Sequence, residues 1–486
     1  MISDRLKKIV GAGNVSTAPA LLDAYARDIS FVNTVRPHCV ARPRNAGDIA
    51  KIVRLANETG TPLVPVSSGP PHFRGDTVPA LGGSVIVDMS GLKKIIHVDR
   101  MNRVAMFEPG VTYGELAAAA AGEGLRLNLP LAPRRSKAVL GHLLEREPVI
   151  MPRYHWDIGD PLACVEIVFG NGETFRTGAA AGPGSIEEQW AAGGAQKEAA
   201  GPSAASWYRL IQGSQGTMGI VTWASVRCEL IPTLEVPFMA GAPDLAKITE
   251  MVHWLLRLRL VNECFILNDS NLASVMARRP KDYRAIKDSL PRWVLFFNIA
   301  GYEYLPEKRV AASVRDMKSL AQRVGLEPVE AIGRVAASDL LNTVRQPSRE
   351  PYWKLRRQGA CQDIFFLTIY DRLPALLEVM DAAAAAAGYP APDLGVYIQP
   401  IVQGTNLHVE FNLPYDPADP AGVEKVKKLT AAAVKDLAAA GAFFSRPYGE
   451  TAGMIINRDA ATVAALKKVK SITDPNYVMN PGKLCF

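Results

Sequence analysis

No two of the six cysteines, Cys39, Cys164, Cys228, Cys264, Cys361 and Cys485, form a C-x-x-C pair in the 486-residue chain. Such spacing encodes neither an iron–sulfur cluster nor a zinc knuckle, so metal chemistry would need other ligands or another chain. No uncharged apolar run reaches the roughly 18 residues of a bilayer span, and no signal-peptide hydrophobic core precedes a cleavage site at the N-terminus. A cytoplasmic location without a membrane span is expected. Charge of one sign is never concentrated either. Lys and Arg number 55 against 48 Asp and Glu, a formal charge of +7, yet the basic residues form only short pairs such as Arg134-Arg135 and Arg356-Arg357. That pattern argues against a nucleic-acid surface. Walker and G-x-G-x-x-G spacings are missing as well.

What is present is ordinary globular composition, with 48% hydrophobic residues, 39 Gly and 35 Pro, at a length that allows two or three packed domains. Periodicity predicts a helix over 47–60 and a buried strand over 63–66, then strands at 84–87 and 103–107 and an Ala-rich helix at 113–123. The Asn171-Gly172 turn joins strands predicted at 164–169 and 173–177 into a hairpin. Residues 178–205 are rich in Gly, Ala, Pro and Ser and read as a long surface excursion, either a lid or an insert. From 232 to about 440, strands at 293–299, 364–369, 396–401 and 408–413 alternate with helices at 245–258, 306–324, 373–387 and 423–439. This suits an antiparallel sheet backed by helices. A short helix at 460–469 and a fixed closing tail end the chain.

Four stretches carry chemistry. Pro65 to Pro79, PVSSGPPHFRGDTVP, follows a strand and combines small residues, hydroxyls and a cation. It reads either as a pyrophosphate-holding loop, with Ser67, Ser68 and Arg74 adding hydrogen bonds and charge, or as a proline-stiffened turn. QGTNLHVEF (403–411) is a turn followed by a strand carrying His408, either a working imidazole or a satisfied histidine on a half-buried strand. RPYGETAGM (446–454) carries Glu450, which either orients His408 as part of a base pair or merely pairs with Arg446 or Arg458. MPRYHWDIGDP (151–161) is dense in titratable and aromatic groups, with His155, Trp156, Asp157 and Asp160 lining a pocket or forming a salt-bridged loop. Arg345, Arg349, Lys354, Arg356 and Arg357 cluster near Tyr352 and Trp353 and read as a solvated cationic loop, the other reading being a binding edge for an anionic substrate or acidic redox partner.

Seven segments in order resemble the vanillyl-alcohol oxidase and p-cresol methylhydroxylase superfamily, which also holds glycolate oxidase and D-lactate dehydrogenase relatives. They are the loop at 65–79, GGSVIVDMSGLKKIIHVD (82–99), RVAMFEPGVTYGEL (103–116), AVLGHLLERE (138–147), GDPLACVEIVFGNGETFRTG (159–178), GSQGTMGIVTWASV (213–226) and the tail DPNYVMNPGK (474–483). The resemblance implies an α+β fold: a p-cresol methylhydroxylase-type FAD-binding domain of two subdomains over 1–230, an antiparallel-sheet substrate (cap) domain with helices on one face over 231–440, and a segment over 441–486 returning to the FAD domain. It also implies FAD as cofactor.

Carried over residue by residue, Ser67, Ser68, Gly69, His72, Arg74 and Gly75 line the pyrophosphate, Gly141 and His142 the ring side, Gly219 and Ile220 the adenine end, and Lys483 of the tail joins them. The loop departs from the family where Pro70 and Pro71 lack amide hydrogens and where Phe73 and Asp76 replace glycine. Asp76 is expected to face away, paired with Arg74 or capping a turn. His408 matches either a metal-binding or catalytic histidine of the hydroxy-acid dehydrogenases or a flavin-linked histidine of the phenol oxidases. Ile401 breaks the metal pair, and Thr451 and Ala452 leave both families' substrate clamps incomplete. The implied activity is an FAD-dependent oxidoreductase, a dehydrogenase rather than an oxidase, moving hydride from the oxygen-bearing carbon of a small alcohol or hydroxy acid, aromatic ones included, to flavin. His408, Glu450, Asp157 or His155 would take the proton, with no metal involved. A redox partner protein would accept electrons, and a homodimer or heteromeric complex is expected. The competing reading is a catalytically silent flavin-binding subunit for electron transfer or scaffolding.

Overall fold

The computed structural model describes residues 1–153, 160–201 and 206–486. Among these, three sheets organise the chain. The first is four-stranded, in the order Val15–Ser16, Cys39–Ala41, Val85–Asp88, Leu63–Val66, with its last three strands parallel. Helix Ala46–Thr59 crosses between the parallel strands. Asn45 caps it by accepting from the Asp48 amide, Gly60 ends it in the left-handed region, and Ile49, Ile52, Val53 and Ala56 pack on the sheet. The phosphate-loop stretch therefore begins where the strand Leu63–Val66 ends, at the carboxyl edge of a parallel unit, which is where such sheets place ligands.

The second sheet is antiparallel, in the order Ile95–Asp99, Val104–Phe107, Gly219–Leu230, Leu162–Phe169, Thr174–Arg176, with Leu125–Leu127 on the far end of the long Gly219–Leu230 strand. The Asn171-Gly172 hairpin forms as its turn residues require, Gly172 having φ 85°. The stretch after it is less of an excursion than its composition implies. Residues 178–181 and 186–191 are short helical turns, and Ala180 and Gln196 are buried, because the Ser225 hydroxyl donates to the Gln196 carbonyl and ties the segment to the sheet.

The third sheet has six strands, all antiparallel, in the order Leu234–Ala242, Trp293–Gly301, Cys264–Asn268, Gly395–Ile401, Asn406–Tyr415, Ala360–Thr368. Period-two alternation divides its side chains. Ile266, Leu295, Phe297, Val396, Ile398, Val409, Phe411 and Phe366 pack under the helices Leu245–Arg257, Pro306–Val324, Leu373–Ala386 and Pro420–Ala439. The opposite face carries Phe265, Phe296 and Tyr397 at its centre, against Leu131, Ile150 and the short helix Ala337–Val344. Polar residues flank them: Glu235, Glu263 and Asn298 towards one edge, Asp363, His408, Glu410 and Asn412 towards the other.

The tail closes the structure through backbone pairing. The Leu63 amide donates to the Val478 carbonyl and the Asn480 amide to the Leu63 carbonyl. Lys470 and Asp474 form a fully buried ion pair whose carboxylate also accepts from the Val478 and Met479 amides. The Asn480 side chain then donates to the carbonyls of Asp76 and Gln215, so the tail holds the phosphate-loop stretch against the 213–217 turn.

Candidate active site

An elongated cavity of about 1380 Å³, its open mouth included, runs between the three sheets. At one end lie Ile211, Gly216, Gly219 and Ile220, in the middle Ser67, Ser68, His72 and Gly141, and at the other end Tyr352, Lys354, Asp363 and Tyr448. The walls approach closely where glycines stand. A Cβ on Gly141 would sit 3.0 Å from the Ser67 hydroxyl, and one on Gly216, at φ 71°, would meet Pro65 at 2.5 Å. Small residues thus keep a narrow slot open along its length. The slot joins a second chamber of about 940 Å³, and Phe73, Arg74, Asp363 and Tyr448 line both.

Charge is dense around this neck. Arg74 lies 2.7 Å from Glu145 and 3.7 Å from Glu147, and Lys137 lies 2.8 and 3.5 Å from the same two carboxylates. Deeper in, Lys354 bridges Asp363 at 2.6 Å and Glu410 at 2.5 Å, and Asn412 donates to both carboxylates. Burial works against the Lys354 charge, but the two carboxylates more than offset it and hold the ammonium protonated well above its usual range. Burial raises Asp363, with Lys354 opposing, while Glu410 is held low because Lys354 and His408 outweigh its own burial. The Tyr448 phenol is also raised, first by burial and then by Glu145.

Residues 37–178 match the FAD binding domain family. Over 99% of its length the chain is 24% identical to 98% of the D-2-hydroxyglutarate dehydrogenase of Stutzerimonas stutzeri. It is 22% identical, over 92% of its length, to 73% of the mitochondrial D-lactate dehydrogenase (cytochrome) of Arabidopsis thaliana. The fold superposes on substrate-bound p-cresol methylhydroxylase with a TM-score of 0.84 at 18% identity, covering 99% of this chain and 95% of that one. The chain is an FAD-dependent oxidoreductase with a p-cresol methylhydroxylase-type fold. FAD is its cofactor, and the long slot fits that molecule: narrow, glycine-walled, with hydroxyls at mid-length.

Within this flavoprotein the cofactor-side residues named from sequence fall into two groups. Ser67, Ser68, His72, Arg74, Gly141, Gly219 and Ile220 line the slot. Ser68 also accepts from the Ala138 amide, and His72 reaches the Ser68 carbonyl at 2.9 Å and stacks on Tyr25. Gly69, Gly75, His142 and Lys483 do not line it. Gly69 is exposed. The Gly75 amide is taken by Asp28 at 2.6 Å, and its carbonyl accepts from Lys483, so both brace the loop from behind. His142 is fully buried against the Tyr113 hydroxyl, 3.4 Å from Glu147, and its imidazole is pushed down to about 3 by burial, hence neutral. Asp76 does not face away: it lines the slot, Arg74 having gone to Glu145, and burial together with Glu145 and Asp28 pushes its carboxyl up to about 6.

The proton-handling residues are redistributed further. His408 is 1% exposed and lines neither cavity; it sits 3.6 Å from Glu410, near the rings of Tyr397 and Phe365, and burial lowers its basicity. Glu450 is not beside it. The helix Gly449–Ile456 turns Glu450 outward at the second chamber, where it is 55% exposed and 3.4 Å from Lys427, rather than paired with Arg446 or Arg458. His155, Trp156 and Asp157 lie outside the described residues. Of the five cations near 350 only Arg349 is exposed: Lys354 is buried at the slot, Arg345 pairs with Glu235 and Glu263, Arg357 pairs with Asp393, and Arg356 donates to the carbonyls of Pro351 and Ala277. Sequence reasoning missed Asp363, Tyr448 and Arg134. Arg134, 5% exposed, lines the slot over the Phe73 ring with no carboxylate in ion-pair range among the described residues, which leaves it available to a phosphate. For Asp363 a signal existed, since HVEFN sets His408, Glu410 and Asn412 at period two and so marks a polar sheet face, and Asp363 is the register partner of Asn412 on the neighbouring strand.

Proposed function

We propose that this flavoprotein is a dehydrogenase acting on a hydroxyl-bearing carbon at the neck between the two cavities, with Asp363 as the proton acceptor. One observation carries the reading: Asp363 and Tyr448 belong to the walls of both the FAD slot and the second chamber. FAD, when bound, supplies a hydride acceptor. The chain supplies the rest. Substrate enters the second chamber; the Asp363 carboxylate takes the hydroxyl proton as the C–H bond is given up, and Lys354 with Asn412 fixes that carboxylate in place. The Tyr448 hydroxyl, kept protonated by burial, can donate to the substrate oxygen. Ser67, Ser68 and Arg134 hold the cofactor's phosphates. Asp76 adds unfavourable charge there, which its partial protonation relieves.

Electrons pass to a separate redox protein in this reading, in line with the cytochrome named for the lactate dehydrogenase relative. No helix among the described residues is long and apolar enough to cross a membrane, and the six cysteines are free, in keeping with a reducing, cytoplasmic setting. A homodimer or heteromeric complex completes the proposal. The test is anaerobic: purified protein carries flavin absorbance, and a panel of alcohols and hydroxy acids contains members that bleach it. Bound flavin that no member of the panel bleaches would sink the dehydrogenase reading.

A further inference from the structure

The second chamber contains a cation that the described residues leave unanswered. Of its three basic residues, Arg74 is neutralised by Glu145 and Glu147, and Lys427 by Glu450. Arg446 has no carboxylate in ion-pair range among the described residues. Only 4% exposed, it donates from one terminal nitrogen to the Glu145 carbonyl and lies over the Phe365 ring at 4.2 Å, while its other terminal nitrogen has no hydrogen-bond partner among the described residues. Burying an ion without partner or water is among the costlier things a fold can do, and here burial, with Arg74 next, shifts Arg446 towards losing its charge. Arg446 lines the second chamber and not the FAD slot, so the cofactor is not its partner.

The surroundings narrow the missing anion. Phe31, Val32, Ile364, Val434, Phe444 and Met454 give the chamber an apolar wall. Phe365 stands under Arg446 two residues along the same strand face from Asp363, a spacing of roughly 7 Å. We propose that the substrate is a hydroxy acid with a sizeable apolar body: its carboxylate pairs with Arg446, its chain or ring fills the second chamber, and its hydroxyl-bearing carbon reaches the neck. Resting on the dehydrogenase reading, the inference makes Arg446 the specificity-determining residue of that site. A planar guanidinium suits it, because two parallel N–H bonds orient a carboxylate as well as hold it.

The test measures binding without turnover. Octanoate, 1-octanol and acetate are titrated calorimetrically into the flavin-loaded protein and into Arg446→Met and Arg446→Lys, each checked for flavin content and melting temperature. Octanoate is expected to bind at least tenfold tighter than octanol or acetate. Arg446→Met should remove that preference while leaving octanol unchanged, and Arg446→Lys should restore part of it. Equal binding of octanoate and octanol to the wild-type protein, no binding of either, or an unchanged octanoate preference in Arg446→Met would overturn the proposal. Should either variant fail to fold, the wild-type comparison still decides. Because flavin bleaching is scored separately, loss of the dehydrogenase reading and loss of this one produce different results.

Discussion

Two buried charge clusters occupy the same face of the six-stranded sheet and end in different roles. Towards one edge, Arg126 and Arg345 meet Glu235 and Glu263, two cations against two carboxylates, with Asn298 donating to both acids. Towards the other, Lys354 alone meets Asp363 and Glu410, one cation against two carboxylates. The balanced cluster touches no cavity described above and ties the strand Leu125–Leu127 of the second sheet to the third. Its Glu263 is held ionised, near a value of about 2, because Arg126 and Arg345 outweigh its burial. The unbalanced cluster borders the cofactor slot and keeps one negative charge to spare, which a proton can join. Under the proposed function, charge balance, more than residue type, separates a latch from a base.

Substitutions sharpen that contrast. Asp363→Asn keeps the shape and removes the spare charge, so kcat should fall by about 10³ with flavin content retained, as expected for the loss of a general base. Steady-state turnover per bound flavin checks it; a change below tenfold would move the base elsewhere. Glu263→Gln strands Arg126 in the balanced cluster and leaves Arg345 only Glu235; it should cost about 3 kcal/mol of stability, read by denaturant unfolding, while turnover per folded molecule stays within threefold.

Asp76→Asn removes a carboxylate from the slot wall and should tighten FAD binding to the apoprotein by about fivefold near pH 8, roughly 1 kcal/mol. The sign in the wild type follows from the carboxyl's value of about 6. Above that pH the ionised group repels a pyrophosphate and binding weakens; below it the neutral acid does not. Fluorescence titration at pH 5.5 and 8 should show the change in wild type and its loss in the variant. Smallest of all, Glu450→Gln breaks an exposed pair with Lys427 and should alter stability by less than about 0.5 kcal/mol and kcat by less than twofold.

Local patterns made much of this molecule legible. Helix Pro306–Val324 starts at its proline and stops before Gly325 at φ 74°, as the sequence dictates, and the Asn-Gly hairpin closes where its turn residues demand. The loop from Ser67 to Arg74 carries a local signature in its small residues and hydroxyls, whereas Gly141 and Gly219 are pointed to only by the family resemblance; Ser67, Ser68, Arg74 and both glycines line the slot. The neck was not. Asp363 and Tyr448 lie 85 residues apart and meet only through the packing of an edge strand against a returning loop. In RPYGETAGM the carboxylate is the conspicuous group, yet a helix beginning at Gly449 carries Glu450 outward while Tyr448, one residue before that helix, stays at the cavity wall. A run of cations says nothing about the acids the fold brings to it, so the sequence points to a solvated Lys354 while Asp363 and Glu410 hold it buried. His408 shares a strand face with Glu410, but it is Glu410 that pairs with Lys354.

The most direct test of the account is the pH profile of flavin reduction under anaerobic, single-turnover conditions, recorded for wild type and Asp363→Asn with the best bleaching substrate. The account predicts a wild-type rate that rises with pH through a single ionisation and then levels, as the carboxylate becomes free to accept the hydroxyl proton, and a variant rate about 10³ lower without that ionisation. Profiles of the same shape and height in both proteins would contradict it and remove Asp363 from the reaction.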